Sequence, residues 1–125
     1  MNSDERKERP VFTGVLKYFP DAIMEVAKVS LAGNQQHHPD KPLHWDRAKS
    51  SDELDALARH LIDAGTVDDD GQLHSAKVAW RALANLQKEL ETKKESKEGY
   101  DPQFGTYKIQ PGDAGTEGAY TIKKK

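Results

Sequence analysis

Acidic and histidine side chains recur at helix-like spacing between residues 19 and 86, and these side chains are the strongest candidates for chemistry in the chain. They fall in three segments: Glu25 in the first, Asp52 and Asp55 in the second, and Asp70 and His74 in the third. Carboxylates from neighbouring helices are a usual way for a helical protein to bind hard divalent cations. The pattern therefore indicates a metal site, and such a site favours phosphate chemistry.

Glu25 lies on the second face of its predicted helix. At about 100° per residue its side chain points away from the apolar stripe of Ile23 and Ala27, where an ordinary exposed glutamate would lie. Its neighbours on that face are small or apolar, and a buried carboxylate among such groups is costly unless it is paired or binds a metal. Both interpretations, surface glutamate and metal ligand, are open.

Asp52 and Asp55 project from adjacent turns of one predicted helix because they are three residues apart. Asp55 lies at the flank of the apolar stripe, where a neighbouring helix can approach, so it is the stronger candidate. Arg59 follows four residues after Asp55 and offers the alternative of a surface ion pair, which contributes little.

His74, Lys77 and Arg81 share one face at the N-terminal end of the third predicted helix. This face suits a phosphate group, because the free backbone amides of a helix N-terminus also attract anions. The alternative is a solvated basic face. His60 lies near the polar side of the second helix, where a lone histidine is most often a surface or packing residue.

Other chemistries have little support in the sequence. Residues 37–40, His-His-Pro-Asp, suggest zinc or a histidine-aspartate phosphohydrolase, but adjacent histidines on a loop rarely complete a metal site. The chain has no Walker loop, dinucleotide-binding glycine motif or nucleophile elbow.

Three amphipathic helices are predicted to position these residues. The first begins at Pro20 and ends at Gly33, since proline suits a first turn and glycine a C-terminus. Ser50 and Glu53 form a capping-box pattern for the second helix. The third runs from about residue 72 to residue 93. These elements predict an all-α fold, a small bundle of three to four helices.

Each predicted helix has an apolar stripe that should face the core. The stripes contain Ile23, Ala27 and Leu31 in the first helix, Leu54, Leu57, Leu61 and Ile62 in the second, and Ala76, Trp80, Leu83 and Leu86 in the third. Residues 34–49 are predicted to form a long loop that Trp45 anchors to the body.

The two ends of the chain are predicted to be less regular. Residues 1–10 are expected to be disordered or loosely attached, and residues 11–18 to form a strand or a packed arm. A charged segment after Lys93 separates a helical domain, residues 1–93, from a linker and extended or hairpin tail, residues 94–125. The tail has two weak strand candidates, at residues 104–109 and 119–123.

Composition limits the classes of function. A chain of 125 residues with 35% hydrophobic and 32% charged residues predicts one domain with a lean core, which an oligomeric interface would complete. The net charge of -2 argues against a general nucleic-acid binder. Without cysteine, an apolar leader or a membrane-length apolar run, the expectation is a cytoplasmic protein without a membrane partner.

The order of these segments resembles the phage-associated dATP/dGTP diphosphohydrolase family, a branch of the all-α, MazG-like nucleotide pyrophosphohydrolases. The resemblance covers roughly Lys7 to Leu90. It depends on Lys-Glu-Arg at residues 7–9, Phe-Pro-x-Ala-x-x-Glu-Val-Ala at 19–27, Gly33, Trp45, Asp-Ala-Leu-Ala-Arg-His-Leu at 55–61, and Asp70 followed by His74.

The resemblance implies hydrolysis of a nucleoside triphosphate to the monophosphate and pyrophosphate, with Mg²⁺ or Mn²⁺ as cofactor. It implies catalytic roles for Glu25 and Asp55. The implied metal ligands are Glu25, Asp52, Asp55, Asp70 and His74. Phosphate or base contacts would come from Arg59, His60, Lys77, Arg81 and Trp45, with Tyr18 as an alternative to Trp45 for base stacking.

Some residues depart from the family pattern. Lys28 stands where the superfamily has an acid, Gln36 where relatives tend to have lysine, and Lys77 where a second histidine is common. These departures leave an alternative open: a non-catalytic helical interaction protein that retains the scaffold.

Overall fold

The computed structural model describes residues 1–96, 100–101 and 106–107. This part of the chain contains four α-helices, one π-helical segment and two short strands. They are α1 (Ser3–Lys7), the π-helical segment (Phe12–Leu16), α2 (Pro20–His37), α3 (Glu53–Ile62), α4 (His74–Ser96), β1 (Tyr100–Asp101) and β2 (Thr106–Tyr107). The prediction of a small all-α bundle is confirmed.

The N-terminal segment is helical at Ser3–Lys7, so the expectation that residues 1–10 are disordered was wrong, whereas their loose attachment stays a prediction. The Asn2 side chain accepts a hydrogen bond from the Glu5 amide, and the Glu5 carboxylate accepts one from the Asn2 amide. This capping box starts α1 and buries Glu5. The π-helical turn that follows replaces the strand that was one alternative for residues 11–18.

Helix α2 continues past Gly33 to His37, so the predicted end at Gly33 was wrong. The reason lies in Asn34, which is buried on the last turns of α2. Its side-chain amide donates to the Lys41 carbonyl, and its side-chain oxygen accepts from the His44 amide. These bonds close the loop that follows against the end of the helix.

Helix α3 begins at Glu53 without a side-chain cap, so the predicted capping box of Ser50 and Glu53 was wrong. Glu53 and Ala56 are buried and His60 is half-buried, which makes this the inward face. The predicted stripe is rotated outward: Leu54 and Leu61 are exposed, and Ile62 is 83% exposed.

The turn between α3 and α4 is a compact loop. Gly65 and Gly71 have φ angles of 92° and 83°, in the left-handed region that favours glycine. The Asp68 amide donates to the Gln72 carbonyl, and Val67 pairs with Leu73 in an isolated bridge. This geometry fixes the acidic side chains of the loop beside the first turns of α4.

Helix α4 packs against both α3 and α2. Among the described residues, the buried hydrophobic side chains are the alanines Ala56, Ala76 and Ala84, and no side chain is less than 2% exposed. Of the predicted α4 stripe, Leu83 and Leu86 are exposed. The core of a single copy is therefore thin, and the small alanines allow close approach of the helices.

The strands lie after α4. Tyr100 pairs with Tyr107 and Asp101 with Thr106 in an antiparallel register. The first strand candidate, residues 104–109, thus contains β2, whereas the second, residues 119–123, lies outside the described residues. No helix in the described ranges is long and apolar enough to cross a membrane. The domain boundary between residues 93 and 94 stays a prediction.

Candidate functional site

A cleft of about 750 Å³ is bounded by the C-terminal half of α2, the loop of residues 38–52, residues at both ends of α3, the loop before α4 and the first two turns of α4. Six of the candidate residues line it: Trp45, Asp52, His60, Asp70, Lys77 and Arg81. Asp55 lines a second cleft of about 680 Å³ on the other side of the start of α3. The structure thus places most of the predicted substrate-contacting residues together.

Two tryptophans form the aromatic part of the cleft. The rings of Trp45 and Trp80 meet edge to face, with centroids 5.7 Å apart. The Trp80 indole N–H donates to the Ser30 hydroxyl at 2.6 Å, and this bond ties α4 to α2. The Arg47 guanidinium lies 4.3 Å from the centroid of Trp45 and also pairs with Glu91. The prediction that Trp45 anchors the loop is confirmed.

Arg81 is held at the cleft by a buried carboxylate. Its guanidinium donates to Glu53 at 2.8 Å and to the Ser50 hydroxyl at 3.2 Å, while Lys88 donates to the other Glu53 oxygen at 2.9 Å. Burial by itself would raise the pKa of Glu53, but the hydrogen bonds from Arg81 and Lys88 outweigh it and lower that pKa. Glu53 is therefore ionised and fixes both cations.

Lys77 bridges two carboxylates of the loop before α4. Its ammonium lies 2.7 Å from Asp68 Oδ2 and 2.9 Å from Asp70 Oδ2. The hydrogen bond from Lys77 lowers the pKa of Asp68 to about 2 and also lowers the pKa of Asp70. Burial opposes the charge on Lys77, yet its bonds to Asp68 and Asp70 raise its pKa. All three groups are charged at neutral pH.

His60 and His74 face each other across α3 and α4. Their Nδ1 atoms are 2.9 Å apart, and His74 Nε2 lies 3.9 Å from Asp68 Oδ1. Burial lowers the pKa of His60, and the nearby Lys77 and His74 lower it further, so this imidazole is neutral at pH 7. In the part of the chain that the structure describes, His60, Asp68 and His74 are the one group of three metal-ligating side chains with ligand atoms within 4.8 Å of one another.

Two carboxylates of the predicted metal site, those of Glu25 and Asp52, form separate ion pairs with basic side chains. Glu25 accepts from Lys28 at 3.3 Å, in a half-exposed ion pair one turn along α2. Asp52 pairs with Arg59 at 3.4 Å, so the ion pair considered for Asp55 and Arg59 forms with Asp52 instead. Hydrogen bonds from Ser50 and Arg59 lower the pKa of Asp52.

Within the described ranges, Glu25, Asp52 and Asp55 are not brought together as one three-ligand cluster. Of the predicted metal ligands, His74 alone belongs to the group described above. The shared cation of Glu25 and Asp55 stays a prediction.

The charges that line the cleft nearly cancel. Its lining includes four carboxylates, from Asp46, Asp52, Glu53 and Asp70, and three cations, from Lys49, Lys77 and Arg81. A bare triphosphate would therefore find no net positive potential here. An anionic ligand of that kind would bind more favourably together with divalent cations.

Two residues of the site were missed in the sequence. Glu53 was assigned to a cap, although its spacing with Ala56 and His60, three and seven residues later, places all three on one helix face. Asp68 lies in a glycine-bounded loop without periodicity, so no sequence signal indicated that it would meet His74 and Lys77.

These features define a small helical protein with a cleft that two tryptophans and several charged side chains line. The N-terminal domain model of the dATP/dGTP diphosphohydrolase family matches residues 2–98, more than half of the chain. The chain therefore belongs to this family, and the resemblance seen in the sequence is confirmed. Neither the curated proteins nor the solved structures contain a match to the chain.

Proposed function

We propose that the chain hydrolyses dATP or dGTP to the monophosphate and pyrophosphate. The observation that best supports this proposal is the cleft in which Lys77 and Arg81 lie beside the indoles of Trp45 and Trp80. Cations suit a triphosphate and indoles suit a purine base. The family name supplies the substrate class.

Each part of the substrate has a proposed contact. Arg81, oriented by Glu53 and Ser50, would donate to phosphate oxygens, and Lys77 would neutralise charge beside Asp70. The neutral His60 ring would donate one further hydrogen bond. Trp45 would contact the base, whereas Tyr18 is outside the lining of the cleft.

We propose Mg²⁺ or Mn²⁺ as the cofactor. Mg²⁺ usually keeps several waters and is held by one or two carboxylates together with the substrate phosphates, so it needs no preformed cage of protein ligands. Asp52 and Asp70 line the cleft and fit this mode of binding. The ion would neutralise phosphate charge and lower the pKa of an attacking water.

Glu25 and Asp55 are the proposed catalytic carboxylates on the family resemblance alone, because Asp55 lines the second cleft and Glu25 lines neither cleft. Each would accept a proton from water or complete the ion's shell, and Arg59 would contact phosphate after leaving Asp52. Because Glu25 lies on α2 and Asp55 on α3, variants of these two residues test the proposal at two separate places in the fold.

The alternative, a non-catalytic scaffold, has one observation in its favour. Lys28 replaces the acid of the superfamily pattern, and its ammonium lies 3.3 Å from the Glu25 carboxylate. This pair neutralises the side chain that the family would use for a cation.

A variant series separates the two functions. The purified chain is incubated with each of the four dNTPs and with Mg²⁺ or Mn²⁺, and product is quantified by chromatography. We expect purine nucleotides to be hydrolysed, Glu25→Gln and Asp55→Asn to lose activity, and Lys28→Glu to retain or increase it. If none of these proteins forms product while circular dichroism shows intact helices, the non-catalytic scaffold is favoured.

We also propose that the chain works as a homo-oligomer in the cytoplasm. Leu54, Leu61 and Ile62 on α3 and Leu83 and Leu86 on α4 are exposed in a single copy. These side chains are 45–83% exposed, so covering each of them would contribute part of the roughly 1.5–3 kcal/mol that full burial provides. A second copy covering α3 and α4 would recover that free energy.

A further inference from the structure

A second cation site is indicated where α3, α4 and their connecting loop meet. His60 comes from α3, Asp68 from the loop and His74 from the first turn of α4, and one ligand atom from each lies within 4.8 Å of the others. All three side chains are half-buried. Three donor side chains from three segments therefore converge, and three is the number of protein ligands in a catalytic zinc site.

The two imidazoles are already close to the spacing that a metal would impose. A tetrahedral ion with metal–nitrogen bonds of about 2.0–2.1 Å holds two nitrogens about 3.3 Å apart. The Nδ1 atoms of His60 and His74 are 2.9 Å apart, so a small outward movement of the rings would admit the ion.

Asp68 is prepared to act as the third ligand. Its Oδ2 atom accepts from Lys77, while its Oδ1 atom accepts from the Asp69 amide at 2.7 Å and lies 3.9 Å from His74 Nε2. These two hydrogen bonds fix the orientation of the carboxylate, as outer-shell partners do in metal sites, and leave a lone pair of Oδ1 for a metal. The backbone bonds around Gly71 hold the loop in place.

We propose that His60, Asp68 and His74 bind one transition-metal ion of the zinc type. Two imidazoles and a carboxylate suit Zn²⁺ and disfavour Mg²⁺, which prefers oxygen ligands alone. The three protein ligands leave a coordination position for water. Because His60 lines the cleft, the ion would lie at its wall. This proposal does not depend on nucleotide hydrolysis.

Zinc binding in the absence of nucleotide tests the site. The full chain is stripped of metal by a chelator, dialysed, and titrated calorimetrically with Zn²⁺ in a background of excess Mg²⁺. We expect one Zn²⁺ per chain. The absorption spectrum of the Co²⁺-loaded protein should show a tetrahedral ligand field.

Two variants test two of the ligands, and a third variant is the control. His60→Gln and Asp68→Asn should each weaken Zn²⁺ binding by at least about 10- to 100-fold, the range that loss of even an outer-shell partner produces. His38→Gln is the matched control, because His38 and His44 form another close pair with ring centroids 4.5 Å apart. It should leave the affinity and the stoichiometry unchanged.

The proposal is overturned if the wild-type chain binds no Zn²⁺ in excess Mg²⁺, or if His38→Gln removes the ion and Asp68→Asn does not. Circular dichroism checks the fold of each variant. Should His60→Gln unfold, Asp68→Asn decides the assignment, since Asn keeps the shape of Asp. Hydrolysis is not the readout, so failure here leaves the proposed nucleotide chemistry intact, and absence of hydrolysis leaves this site intact.

Discussion

Replacement of Glu53 by glutamine should destabilise the fold, because Glu53 is the buried carboxylate on the inward face of α3. Glu53 is 4% exposed and accepts charge-assisted bonds from Arg81 and Lys88. Each such bond contributes roughly 1.5–3 kcal/mol. The side chains of Arg81 and Lys88 are 29% and 25% exposed, so water recovers part of the loss. We expect a net cost of about 2–4 kcal/mol, below or near the loss of a fully buried pair.

Urea unfolding followed by circular dichroism measures this cost as a lower midpoint at constant m value. For a domain of this size the melting temperature should fall by about 8–32 °C, at roughly 4–8 °C per kcal/mol. The control is Arg59→Gln, which breaks the exposed pair with Asp52 and should cost less than about 1 kcal/mol. Equal effects of the two variants would refute the role of Glu53 as the buried anchor.

Four further substitutions test the loop, the acid limit and the assembly. Gly71→Ala should destabilise the fold by about 1–2 kcal/mol because its φ is 83°, whereas Gly33→Ala, with open space around the helix, should stabilise it by about 0.5–1 kcal/mol; thermal unfolding compares them. Because the folded pKa of Asp68 is about 2, below its ordinary value of 3.8, its contribution is present above pH 4 and is lost as pH falls toward 2. Lys77→Met should flatten that part of a stability-against-pH curve, and an unchanged curve would contradict the assignment. Light scattering should find a mass above one chain, and Ile62→Lys should lower it; a wild-type monomer would contradict the homo-oligomer.

Although Gly33 and Ser50 indicated the wrong end of α2 and the wrong cap of α3, the α-helical class and the approximate positions of the three longer helices follow from sequence periodicity. The inward face of α3 does not. Periodicity selected Leu54, Leu61 and Ile62, since apolar side chains normally turn inward. In one copy the inward face belongs to Glu53 and His60 instead, because their partners on α4 satisfy them there.

The candidate site was predictable where side chains share a helix and less so where they come from loops. His74, Lys77 and Arg81 are aligned by helix spacing alone. The approach of Asp68 to them depends on the turn between Gly65 and Gly71, whose path is set by backbone hydrogen bonds and positive φ angles. Contacts that a loop residue such as Asp68 makes with His74 and Lys77 leave no periodic pattern in a single sequence.

Phosphorus NMR of dGTP incubated with the purified chain and Mg²⁺ tests the proposed hydrolysis most directly, because it identifies which bond breaks. We expect the three triphosphate signals to be replaced by those of dGMP and pyrophosphate, and to persist with Glu25→Gln. Formation of dGDP and inorganic phosphate, or no change with dGTP and dATP by the folded protein, would contradict the assignment.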